Sequence, residues 1–160
     1  MRRAVAKGVT SGINATTFRP NAACTRAQSV TFLWRAAGSP EPASTANPFA
    51  DVGSGAYYFK AALWALEKGI TGGTDATAFN PNGAVTRAQI VTLQYRAAGS
   101  PAVTTANSFG DVHPDAYYTN AILWAVEKAV TNGTTATTFS PNANCTRGQI
   151  VTFLCRQFGV

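Results

Sequence analysis

The apolar residues of this chain fall into two helical patterns that alternate along it. Over 116–128, Tyr118, Ala121, Ile122, Ala125 and Val126 recur at i, i+3, i+4, i+7 and i+8, the stripe of an amphipathic helix. The stretch 56–68 repeats that layout, so two first-type helices are predicted over Ala56–Lys68 and Ala116–Lys128. The second pattern opens with a polar signature ahead of an apolar run, at Thr25-Arg26-Ala27-Gln28, Thr86-Arg87-Ala88-Gln89 and Thr146-Arg147-Gly148-Gln149. A threonine with a glutamine three residues on is a capping box, each side chain taking up a backbone N–H of the other's residue. An apolar residue precedes each cap (Cys24, Val85, Cys145), and Ile90 and Ile150 stand where a hydrophobic staple needs them. Three second-type helices are predicted, closing at Gly38, Gly99 and Gly159.

Together these patterns form a repeat of about sixty residues. Phe49-Ala50-Asp51-Val52 returns as Phe109-Gly110-Asp111-Val112, and Leu63-Trp64-Ala65-Leu66-Glu67-Lys68 returns as Leu123-Trp124-Ala125-Val126-Glu127-Lys128. Between the helices lies a polar loop at 12–21, 73–82 and 133–142, each ending Phe-x-Pro-Asn. Its opening glycines, Gly73 and Gly133 among them, imply a positive φ or a close backbone approach. Phe18, Phe79 and Phe139 are expected to plug a small core beneath the turn. Gly8 and Gly69 are natural helix stops, whereas Ala129 departs from that rule. The fold class is therefore all-α. The predicted division is a partial repeat over 1–38, whose first helix is cut short, then repeats over 49–99 and 109–160. Extended linkers at 39–48 and 100–108 join them into one compact unit.

Charge and composition narrow the function. The net charge is +6, carried largely by arginines of the capped helices, with 46% hydrophobic residues. A basic surface favours an anionic partner. Arginines nine apart on short helices make no continuous stripe, so nucleic acid is not expected. No apolar run is long enough to cross a bilayer, and Met1–Lys7 is not in itself a secretion signal. Three cysteines without a CxxC spacing predict neither a disulfide framework nor a zinc site, and no cofactor is expected. Catalysis has little support, with one histidine (His113, expected exposed) and seven scattered carboxylates. Glu67 and Glu127 read as solvated.

Arg26, Arg87 and Arg147 are the unusual feature. A cation at the first position of a helix opposes the dipole by roughly 0.3 kcal/mol or more. A bound carboxylate would relieve that repulsion, held by the planar guanidinium and by N–H groups of the helix start. The alternative is an internal ion pair with Asp51 or Asp111. Trp64 and Trp124 are open to two readings, sugar stacking or half-buried core, and Tyr57, Tyr58, Tyr117 and Tyr118 share that ambiguity.

The ordered set of Phe-x-Asp-Val, Tyr-Tyr with the following Trp-Ala, Gly-Ile/Val-Thr, Phe-x-Pro and Thr-Arg-Ala/Gly-Gln resembles the S-layer homology family over essentially the whole chain. The resemblance implies a pseudo-threefold arrangement, first helices central and loop-helix prongs projecting. It also implies a non-catalytic anchor on the bacterial cell surface. Grooves between the prongs would hold an anionic, typically pyruvylated, secondary cell wall polysaccharide, with Arg26, Arg87 and Arg147 as principal contacts. The candidate ligand-binding set is these three with Asp51, Asp111, Trp64, Trp124, Gly73 and Gly133. Glutamine stands where the family has glutamate, which keeps the capping box and removes three negative charges. The competing readings are a structural, self-assembling module, which the short first repeat would favour through a homo-oligomer, and a host-facing adhesion module that has kept the fold without its polysaccharide, which the uniform glutamine substitution would favour.

Overall fold

The computed structural model describes residues 2–14 and 16–159. Among the described residues there are six helices: α1 (Arg2–Ala6), α2 (Arg26–Ala36), α3 (Phe59–Glu67), α4 (Arg87–Ala97), α5 (Thr119–Glu127) and α6 (Arg147–Phe158). The second-type helices α2, α4 and α6 start where the capping boxes put them. In each, the threonine hydroxyl accepts the glutamine N–H, and the glutamine side chain accepts the threonine N–H. The first-type helices begin three residues later than the apolar stripe predicts. Tyr58 and Tyr118 supply no side-chain cap. The chain instead makes tight turns there, with Phe59 N–H bonded to Ala56 and Thr119 N–H to Ala116 at 3.0 Å each.

The three units close on one another around an axis. Cys24 N–H bonds Cys145 O at 3.0 Å, Val85 N–H bonds Cys24 O at 3.0 Å, and Cys145 N–H bonds Val85 O at 2.8 Å. Short antiparallel bridges flank this ring at Ala23–Thr146, Thr25–Ala84 and Thr86–Asn144. The residues that precede each cap therefore do more than staple a helix: they join the units at the centre. Cys24 and Cys145 are fully buried there as free thiols, and burial pushes the Cys145 thiol up to about 12.

Among the second-type helices, α2 meets both α4 and α6. Each first-type helix packs on the second-type helix of the unit before it, α3 on α2, α5 on α4 and α1 on α6. Pairing of the capping segments draws the starts of α2, α4 and α6 together. Trp64 and Trp124 consequently face inward and retain 5% and 4% exposure.

Each linker is tied back rather than free. Trp34 donates its indole N–H to Pro40 O at 2.8 Å, and Tyr95 donates its hydroxyl to Pro101 O at 2.9 Å. Glu67 accepts the Ala43 N–H at 2.7 Å, and Glu127 accepts the Thr104 N–H at 3.1 Å. Two hydroxyls, of Thr104 and Thr105, also reach Glu127 at 3.2 Å. These glutamates hold the linkers, a role that the reading of solvated side chains missed. The Thr104 N–H foremost, with Lys128 and the hydroxyls, holds the Glu127 carboxyl down at about 2. A lowered folded pKa stabilises above the unfolded value near ~4.3 and is lost as pH falls toward the folded value. Residues 100–108 are therefore expected to undock between those two pH values. An NMR titration of Glu127 alongside amide exchange at Thr104 checks it.

At the end of the first-type helices, Gly8 and Gly69 adopt φ of 70° and 66°, and Ala129 takes φ of 53° at the same place. An alanine in this left-handed region costs about 1 kcal/mol relative to glycine. Ala129→Gly is thus expected to raise stability by ~1 kcal/mol, measured by urea unfolding.

Candidate functional site

Each first-position arginine crosses from its own helix into the loop of the next unit. Arg26 donates from Nε to Phe79 O at 2.7 Å and from Nη2 to the Thr71 hydroxyl at 3.4 Å. Arg87 donates from Nε to Phe139 O and from Nη2 to Asn132 O, both at 2.9 Å. Arg147 closes the circle on the first unit, reaching Phe18 O at 3.0 Å and Ser11 O at 3.1 Å. The three guanidinium carbons lie 5.0, 4.7 and 4.8 Å from the centroids of Phe79, Phe139 and Phe18, in cation–π range. The side chains are clasps between units, with 8%, 5% and 4% exposure.

The proposed internal ion pair is not how they are held. Among the described residues none of the three arginines forms a salt bridge. Asp51 instead accepts the N–H groups of Phe79 and Asn80 at 2.8 and 2.7 Å, and Asp111 those of Phe139 and Ser140 at the same distances. The aspartate fixes the loop whose phenylalanine carbonyl then receives the arginine. Asp51 and Asp111 are positioning residues for the clasp. Burial pulls the pKa of Arg26 down, opposed by Tyr117 and then Asp51; that of Arg87 is likewise lowered by burial, opposed by Cys145 and Asp111. The expectation that helix-start N–H groups await an anion is also corrected. Arg26 and Ala27 N–H bond Gly83 O and Pro81 O, and the corresponding donors of α4 and α6 bond Ala143, Pro141, Ala22 and Pro20.

What remains open is a groove beside each clasp. In the first, of about 330 Å³, Arg26 of unit one faces Arg96 and Gln89 of α4, with loop 71–74 and Tyr117 as walls. In a second, of about 400 Å³, Arg147 faces Arg35 and Gln28 of α2, with loop 11–13 and Tyr57. In a third, of about 730 Å³, Arg87 faces Arg156 and Gln149, with loop 131–134 and no tyrosine. Among the described residues no aspartate or glutamate lines any of the three. Tyr57 and Tyr117 stand out at 62% and 65% exposure, each edge-on to its neighbouring tyrosine.

Of the candidate set, Arg26, Arg87, Arg147, Gly73 and Gly133 line grooves, while Trp64 and Trp124 are core and Asp51 and Asp111 lie behind the loops. Residue-by-residue reading did not single out Arg35, Arg96 and Arg156. The signal was present: each lies nine residues after a clasp arginine, in all three copies.

A closed ring of three helix–loop units with a cationic groove at each junction defines the class of protein. The signature of the S-layer homology domain matches residues 1–28, 48–91 and 108–151, and the chain belongs to that family. It is 34% identical over 122 residues to an endoglucanase of Bacillus sp. (strain KSM-635), a match spanning 76% of this chain and 13% of that protein. It is 32% identical over 118 residues to the surface-layer 125 kDa protein of Lysinibacillus sphaericus, spanning 73% of this chain and 10% of that one. The chain thus corresponds to a small fraction of either relative. Among the described residues no helix is long and apolar enough to cross a membrane, and no cluster of His, Cys, Asp or Glu fits a metal ion.

Proposed function

We propose that this chain is a non-catalytic anchoring module that attaches its parent protein to the bacterial cell wall, outside the cell, by binding an anionic, pyruvylated polysaccharide in its inter-unit grooves. Family membership supports the general role of cell-wall association. One observation carries the finer reading: every groove presents two arginines and, among the described residues, no carboxylate side chain in its lining. An uncompensated pair of guanidinium groups in a cleft attracts an acid and rejects cations. Grooves of 330 and 400 Å³ suit one or two sugar units rather than a long stretch of polymer. Several such grooves on one rigid body act through high effective concentration, so modest single-groove affinities give firm attachment.

The chain is expected to be retained on purified pyruvylated wall polysaccharide at low salt. Retention should fall by an order of magnitude or more as ionic strength rises from about 0.05 to 0.5 M. Stripping the pyruvyl ketals with mild acid should abolish it. Equal retention on stripped and intact polymer in a pull-down would rule the reading out.

A further inference from the structure

The two arginines of a groove are not equivalent. Each clasp arginine has Nε and Nη2 committed to protein acceptors of the next unit. A guanidinium grips a carboxylate best through two adjacent nitrogens donating in parallel, and the side-on Nε–Nη2 fork is already engaged. Only Nη1 has no hydrogen-bond partner among the described residues. The arginines on the opposite wall are the reverse case. Arg96 and Arg156 each use Nη1 alone, on Ile70 O and Val130 O at 3.2 Å, which leaves the Nε–Nη2 fork free. The Arg35 side chain makes no hydrogen bond among the described residues. Arg96 and Arg156 are exposed and Arg35 is half-buried, so all three reach solvent at the groove. The single tether to a backbone carbonyl aims the side chain without using up its fork.

We infer that Arg35, Arg96 and Arg156 supply the bidentate grip on the acidic group of the ligand, and that Arg26, Arg87 and Arg147 chiefly clasp the units and add the charged N–H groups of Nη1 from the groove floor. The inference rests on the anionic-ligand reading above and deepens it. It assigns ligand selectivity to the outer arginine, whose charge alone is not enough: a lysine there keeps the cation but cannot offer two parallel donors. The exposed rings of Tyr57 and Tyr117 flank this fork in two of the grooves, where a sugar ring bearing the acid would lie.

The test compares the wild-type chain with the triple variant Arg35→Lys/Arg96→Lys/Arg156→Lys. The probes are pyruvylated wall polysaccharide and the same material stripped of ketals, read by calorimetry, with melting temperature measured in parallel. The expected result is a loss of tenfold or more in affinity for the intact polymer, with the melting temperature within about 2 °C of wild type. Affinity within twofold of wild type would overturn the inference while leaving the wall-binding reading in place. No preference of the wild type for the intact polymer would overturn both. Should the triple variant fail to fold, Arg35→Lys and Arg96→Lys are measured singly. A loss near threefold for each supports the assignment, and no loss for either overturns it.

Discussion

Arg87→Ala is expected to lower the stability of the folded chain by about 3 kcal/mol. Hydrogen bonds from a charged donor contribute roughly 1.5–3 kcal/mol, and two are lost here, on Phe139 O and Asn132 O. The Phe139 carbonyl would be left in a buried setting without its partner, beside a ring that is fully buried. Loss of the cation–π contacts to Phe139 and Phe153 adds to the deficit. Relief of the guanidinium's own burial offsets part of the total. Urea unfolding followed by tryptophan fluorescence measures it well, since Trp64 and Trp124 are buried. Arg96→Ala, which breaks one bond at an exposed site, is the control and should cost under about 1 kcal/mol. Near-equal losses for the two variants would contradict the division between clasp and outer arginine.

That prediction shows where sequence reasoning stopped. The capping boxes were legible because they are local: Thr86 and Gln89 sit three apart, and their geometry needs nothing beyond one helical turn. The buried plugs Phe79 and Phe139 were legible for a similar reason, since a Phe-x-Pro turn has one inward side. The role of Arg87 was not, because its acceptors lie 52 and 45 residues away, in another unit. The repulsion at the helix start correctly marked the arginine as employed elsewhere, but its employment is a pair of neutral carbonyls. Asp111 was misplaced by the same blindness to distance, its partners being backbone N–H groups 28 and 29 residues on. Trp64 and Trp124 could face either way on a helix whose packing partner was unknown. The exchange of first-type helices between units, α3 on α2 and α5 on α4, buries them. The centre of the molecule was also invisible: a ring of three backbone bonds among Cys24, Val85 and Cys145 carries no side-chain signature beyond the apolar character of those positions.

Gly73→Ala is expected to cost about 3 kcal/mol or more and to impair the groove beside it. Gly73 has φ of 86°, and a Cβ there would stand 2.5 Å from Ala78 O, 2.6 Å from a ring carbon of Phe49 and 2.7 Å from Asp75 O. Two of those neighbours are backbone, so the loop has to move as a whole. Gly69→Ala separates the two contributions. Gly69 also has positive φ, 66°, but an added Cβ would meet nothing within 4 Å. Its cost should be only ~1 kcal/mol, in keeping with the alanine that the third unit carries at the equivalent position, Ala129. Loop 71–74 walls the first groove, and Thr71 is the acceptor for Arg26 Nη2. A shift in the loop thus loosens the clasp and moves the wall together. Gly73→Ala should weaken binding to wall polysaccharide even at temperatures where it stays folded, whereas Gly69→Ala should bind as wild type. Thermal melts paired with calorimetry on the two variants check both halves. Equal stability for them would mean that the close approach at Gly73 is readily relaxed, and the groove wall with it.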